Sequence, residues 1–258
     1  MAMLQAGSGK REALLNTVAI SEGNVETGAR RIPLLGRAFY GFAALAFVAL
    51  CIKLAAIWFG GMISAGGHTD STIEREIVIG NDVLRVPENL IRFGQARRDG
   101  IQQRLDLYLR WPELEGYSRE ARDDFNHAGG AKRILFLSFE PKVLSRDMSA
   151  RLEPIYSHVI EREAADGPAG LLLYRFSEKS GYVNEQLAVG YGQGTGPFVT
   201  RCLEGEMARQ SLAACERDVH IGDDLSLTYR FPLELLPEWR TLDPAIIRKA
   251  RTLLRTDG

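Results

Sequence analysis

Histidines, cysteines and paired carboxylates are the groups through which this chain of 258 residues could do chemistry, and their spacing decides which chemistry is open to it. His68, His127, His158 and His220 are spread over separate segments, with no motif around any of them. His127 follows Asp123 and Asp124, so a carboxylate could orient it as a general base; a solvated polar loop explains the same residues. No serine has nucleophile-elbow spacing. Glu74 with Glu76 and Asp223 with Asp224 are acidic pairs, and glycoside hydrolysis uses two carboxylates about 5–10 Å apart across a cleft. The first pair falls on the polar phase of a strand and the second in a turn, so surface solvation is the reading for both.

Cys202 and Cys215 lack the paired short spacings of a zinc site, and His220 is the one histidine close to either. An even cysteine count in an exported segment makes a Cys202–Cys215 disulfide the expectation, contributing on the order of 3 kcal/mol through a loop of this length. Glycine recurs at every second position from Gly190 to Gly196, ahead of Pro197, but the run lacks the Lys and Ser or Thr that complete a phosphate loop. It reads as a connection between strands or as a loop covering a ligand, with Tyr182, Tyr191 and Arg201 nearby. The segment Asn126 to Lys132, with Gly129-Gly130, has the same two readings. No cofactor and no metal is called for.

The elements that carry these residues begin with an apolar stretch from Arg37 to His68, broken by the single charge Lys53. Over 38–59 it predicts a transmembrane helix, since about 22 residues rising ~1.5 Å each cover a ~30 Å hydrocarbon core. The run is too long for a signal-peptide core of ~7–15 residues, and Leu50 is too bulky to precede a lipoprotein Cys51. Arg30, Arg31 and Arg37 before the stretch place the N-terminus inside, which makes 1–37 a short, disordered cytoplasmic tail, 60–72 a linker and 73–258 a periplasmic domain. Lys53 is then an intramembrane charge, either paired with an acidic group on another helix or solvated near the interface. With 32 Lys and Arg against 33 Asp and Glu and no basic face, nucleic acid is excluded as a main partner.

Beyond the stretch the dominant signal is alternation. Leu105, Leu107, Leu109 and Trp111 share one face of a strand that ends at Pro112. Further strands are expected at 73–79, 133–139, 170–176, 186–191, 198–203, 217–221 and 225–231, the last two forming a hairpin around Gly222-Asp223-Asp224. Helices are expected at 145–152, at 206–214 and from Asp243 as N-cap with Pro244 in the first turn. The fold class is α+β and β-rich: one N-terminal transmembrane helix, a mainly antiparallel sheet domain and a C-terminal helix.

Val86-Pro87-Glu88-Asn89-Leu90-Ile91-Arg92-Phe93, the strand from Arg104 to Pro112 and Glu115-Gly116-Tyr117 resemble uncharacterised single-pass envelope proteins of alpha-proteobacteria. The resemblance implies location and architecture and transfers no catalytic residue. Read physically, Arg92 and Arg104 are buried ion-pair partners of Asp106 or Glu88. The expected function is a non-catalytic, membrane-anchored periplasmic domain at the inner membrane that presents a sheet edge or loop to an envelope protein. The alternative is an envelope hydrolase acting on glycan or peptide.

Overall fold

The computed structural model describes residues 34–64, 67–130, 132–192 and 196–255, so the expected cytoplasmic tail lies outside the described residues up to position 33. The chain divides into two units, Met1–Ala56 and Ile57–Gly258. Most of helix α1 (Leu34–Ser64) belongs to the first, and the helix runs into what was expected to be the linker. The membrane span is corrected: among the described residues no helix is long and apolar enough to cross a membrane. Lys53 lies on α1 with an exposed side chain. The inner-membrane anchoring and the orientation therefore have no span to rest on.

The second unit is built from two sheets. The hairpin of β1 (Glu74–Ile79) and β2 (Asp82–Pro87) pairs antiparallel, and the short β3 (Gly100–Ile101) adds to β1 in parallel. The large sheet contains β4 (Leu105–Arg110), β5 (Ile134–Pro141), β6 (Ile160–Asp166), β7 (Leu172–Phe176), β8 (Glu185–Gly190), β9 (Phe198–Leu203), β10 (Cys215–Ile221) and β11 (Leu225–Phe231). Its order is β4-β5-β11-β10-β9-β8-β7-β6, with every neighbouring pair antiparallel.

Alternation explains which face is covered. Leu105, Leu107 and Leu109, Leu135, Leu137 and Phe139, and Leu225, Leu227, Tyr229 and Phe231 all point to one side. There they meet Ile77, Ile79, Leu84 and Val86 of the small sheet and Leu242, Ile246, Ala250 and Leu253 of the C-terminal helix. The opposite face carries charged ladders, such as Arg201 between Glu185 and Glu216, and two smaller apolar clusters.

Several expectations change. Strands β3 and β6 lie outside the expected set, and of β2 the sequence shows only its end at Val86-Pro87. The helix expected at 145–152 is a set of turns that ends in a wide helical turn, where the Tyr156 N–H reaches the Arg151 carbonyl at 3.1 Å. Helix α2 (Gly205–Gln210) stops early, because Ala214 already accepts from the Leu203 N–H on entry to β10. Helix α3 (Trp239–Leu253) starts ahead of Asp243, which is therefore not its N-cap, and Pro244 lies inside it. Arg104 does pair with Asp106, at 2.8 Å, but on an exposed surface shared with Glu140. Arg92 instead lies over the Phe93 and Phe136 rings, and Glu88 is held by Arg75.

Candidate functional site

The residues singled out for catalysis do not converge. His158 contacts its neighbour Ser157 on the surface, and His220 lies on β10 opposite Ser226 of β11. Asp124, the carboxylate nearest His127 in sequence, is engaged by Arg110 at 3.3 Å. Glu76 faces Arg85 and Arg255 on β1. Asp223 and Asp224 form the hairpin turn, where their backbone N–H groups donate to the Asp82 carboxylate at 3.1 and 3.0 Å.

His68 is structural. Its ring stacks on Tyr117 at 4.8 Å, and its Nδ1 lies 3.0 Å from the Tyr108 hydroxyl. Burial first, then the positive charge of Arg97, lowers its pKa below the ordinary 6.5, while a hydrogen bond with Asn126 partly opposes them. The fold thus favours neutral His68, and the unfolded chain takes the proton first. Its contribution to stability is full above pH 6.5 and is lost as pH falls below that value towards the folded-state pKa. Denaturant midpoints measured at pH 7.5 and 5 should therefore fall less in a His68→Gln variant than in the wild type.

The Cys202–Cys215 disulfide is present, linking directly opposed residues of β9 and β10 with both sulfurs buried on the core face.

On that same face the alternation of β10 is broken. Cys215, Arg217, Val219 and Ile221 share one phase, so an arginine occupies a position where the pattern calls for an apolar residue. Arg217 is only 5% exposed. Its Nε donates to Asp243 Oδ1 at 3.1 Å, and its Nη1 donates to Ser149 Oγ and to the Val199 carbonyl, both at 2.9 Å. The Tyr229 hydroxyl donates to the same Asp243 oxygen at 2.6 Å. Asp243 is thus the counter-ion of a buried guanidinium rather than a helix cap. Burial works against the Arg217 charge, but Tyr229 and Asp243 together hold its pKa above the ordinary arginine value. Burial, reinforced by Asp243, pushes the Tyr229 phenol well up.

The cluster opens on a cavity of about 380 Å³, lined among others by Gly192, Phe198, Arg217, Trp239, Arg240 and Asp243. Rings and cations follow one another along it. Arg217 lies over Phe198 at 5.0 Å, Phe198 stacks on Trp239 at 5.1 Å, and Arg240 lies over Trp239 at 4.3 Å. Trp239 is fixed by its indole N–H, which donates to the Ala169 carbonyl at 3.2 Å.

The glycine run has its explanation here. A Cβ on Gly190 would sit 2.8 Å from the Trp239 ring and from Leu171, so the indole can pack there only because the backbone is bare. Gly190→Val should cost about 1–3 kcal/mol through overpacking and alter the Trp239 fluorescence, both readable in one denaturant titration. The run joins β8 to β9, as the first of its two readings has it, and Gly192 and Gly196 line the cavity, with companions other than the Tyr182 and Arg201 of the second reading. Arg201 lies over Tyr182 and pairs with Glu185 and Glu216 on the other face of the sheet. Arg217, Trp239 and Arg240 are absent from the expected site residues and Asp243 is expected only as a helix cap, although a charged residue in the apolar phase of β10 is a visible signal.

No family model matches the chain, and no curated protein matches it. Among solved structures it is similar to an immunity protein of the Stenotrophomonas maltophilia type IV secretion system, at 14% identity over 73% of this chain and 95% of that one, with a TM-score of 0.47. It is also similar to the Neisseria meningitidis iron-regulated outer membrane lipoprotein FrpD, at 8% identity over 72% of this chain and 94% of that one, with a TM-score of 0.44.

Proposed function

We propose that Ile57–Gly258 is a non-catalytic binding domain of the cell envelope, working in an oxidising compartment and holding its ligand at the Arg217 cavity. The disulfide carries the location: cytosolic thiols are kept reduced, whereas this bridge lies in the core face of the sheet. The cavity supports binding over catalysis because its polar groups are tied to the framework. Arg217 and Asp243 hold each other, and the Ser149 hydroxyl donates to the Pro197 carbonyl at 2.7 Å.

A sheet edge is the weaker surface for a partner. At one end of the large sheet β4 is covered by its bridges to Ile91 and Glu115, and the hydrogen bond from the Arg92 N–H to Asp106. At the other end β6 is open, but its pairing with β7 shifts register between Ile160 and Ala164 and it carries Glu161, Arg162, Glu163 and Asp166. Bulges and charges of this kind blunt strand addition.

Thiol trapping in intact cells tests the reading. Cells quenched with a membrane-permeant alkylating reagent should yield protein in which Cys202 and Cys215 are unmodified until reductant is added. Alkylation of both without reductant would overturn the compartment and the function with it.

A further inference from the structure

We infer that the cavity takes a small organic anion, a carboxylate carried on a flat apolar body, with Arg217 as the group that recognises the charge. This rests on the binding-domain reading and identifies the class of its ligand. Arg217 has its Nε and Nη1 engaged and the Tyr229 hydroxyl close by, and among the described residues no hydrogen bond is formed by its Nη2. Because the side chain is nearly all buried and yet lines the cavity, Nη2 is the donor left for whatever enters.

Sign and shape narrow the ligand. Arg217 and Arg240 face a single carboxylate, Asp243, so the lining carries one net positive charge. Arg240 bonds only to the Tyr191 and Ala169 carbonyls, at 3.3 and 3.4 Å, and has no carboxylate within ion-pair distance among the described residues. An anion is favoured and a cation repelled. Inorganic phosphate or sulfate would satisfy the charge but leave Phe198 and the Trp239 edge wet. An acid with an aromatic or alicyclic body satisfies both, and a volume of about 380 Å³ suits a small molecule.

Benzoate is the probe, with benzamide as its neutral counterpart, benzylammonium as its cationic one and inorganic phosphate as the anion without a body. Titrations of the oxidised protein are followed by calorimetry and Trp fluorescence. Benzoate should bind saturably, with benzamide at least about tenfold weaker and benzylammonium and phosphate weaker still. Gly192→Leu fills the cavity without a backbone clash, since a Cβ there lies 3.6 Å from Trp239 in ordinary contact, and should abolish binding in a folded protein. Arg240→Gln, at the exposed mouth, should weaken benzoate about threefold to tenfold at low salt. Lack of saturable benzoate binding, equal binding of benzamide, tighter binding of phosphate or survival of binding in Gly192→Leu would each overturn the inference. Thiol protection in cells is read separately, so a failed titration beside protected cysteines removes the ligand class and leaves the compartment standing.

Discussion

Asp243→Asn is expected to destabilise the sheet domain by about 3–5 kcal/mol, the usual cost of removing one partner from a buried ion pair. The size follows from what is left behind. Arg217 remains 5% exposed, with its Nε facing a neutral amide and its desolvation no longer offset by the nearby carboxylate. The Tyr229 hydroxyl loses its charged acceptor at the same time. Replacing both members, as in Arg217→Met with Asp243→Asn, should recover a large part of the loss, because apolar substitutes for buried pairs are often neutral or better. Denaturant melts of the two single variants and the double give the coupling directly. Single-variant losses under about 1 kcal/mol that simply add in the double would mean that the pair is not buried and coupled as described.

Removing the disulfide should have the second-largest effect. Cys202→Ala with Cys215→Ala is expected to cost about 3 kcal/mol, the contribution of a loop of this length, the two residues standing 13 apart in sequence. Register makes the effect clean. The cysteines are directly opposed on β9 and β10, so the strands stay paired on either side without the bridge and the loss acts mainly on the unfolded chain. Wild-type protein melted with reductant should match the double variant. An unchanged midpoint under reductant would show that the bridge does not contribute to stability.

What was legible in the sequence follows from how local the signal is. Strands β4, β5, β10 and β11 are found close to their expected limits because each buries one face against a common core and alternation records that burial, while β7 to β9 are legible from their apolar runs between turn residues. Strand β6 escaped because its residues are mostly exposed and polar, and β3 because two residues make no pattern. Asp243-Pro244 looks like a helix start on local chemistry alone. Here the aspartate oxygen is committed to Arg217 and Tyr229, partners far off in sequence, and the helix begins earlier, at Trp239. The apolar run over 38–59 revealed a helix by composition, but helix formation and membrane crossing are separate requirements, and the described part of α1 fulfils only the first. The cavity was partly legible. Its glycines stand out in the sequence, whereas Arg217 lies in an otherwise apolar phase of β10 and is held there by Asp243, a partner 26 residues on.

The most direct test of the account is nitrogen-15 NMR of the arginine guanidinium groups in the oxidised protein, with and without benzoate. The account predicts one guanidinium, lost in Arg217→Met, whose N–H protons exchange slowly at neutral pH and whose Nη signals shift saturably as benzoate is added. Fast exchange at every arginine, or an Arg217 signal indifferent to benzoate while other residues respond, would contradict it.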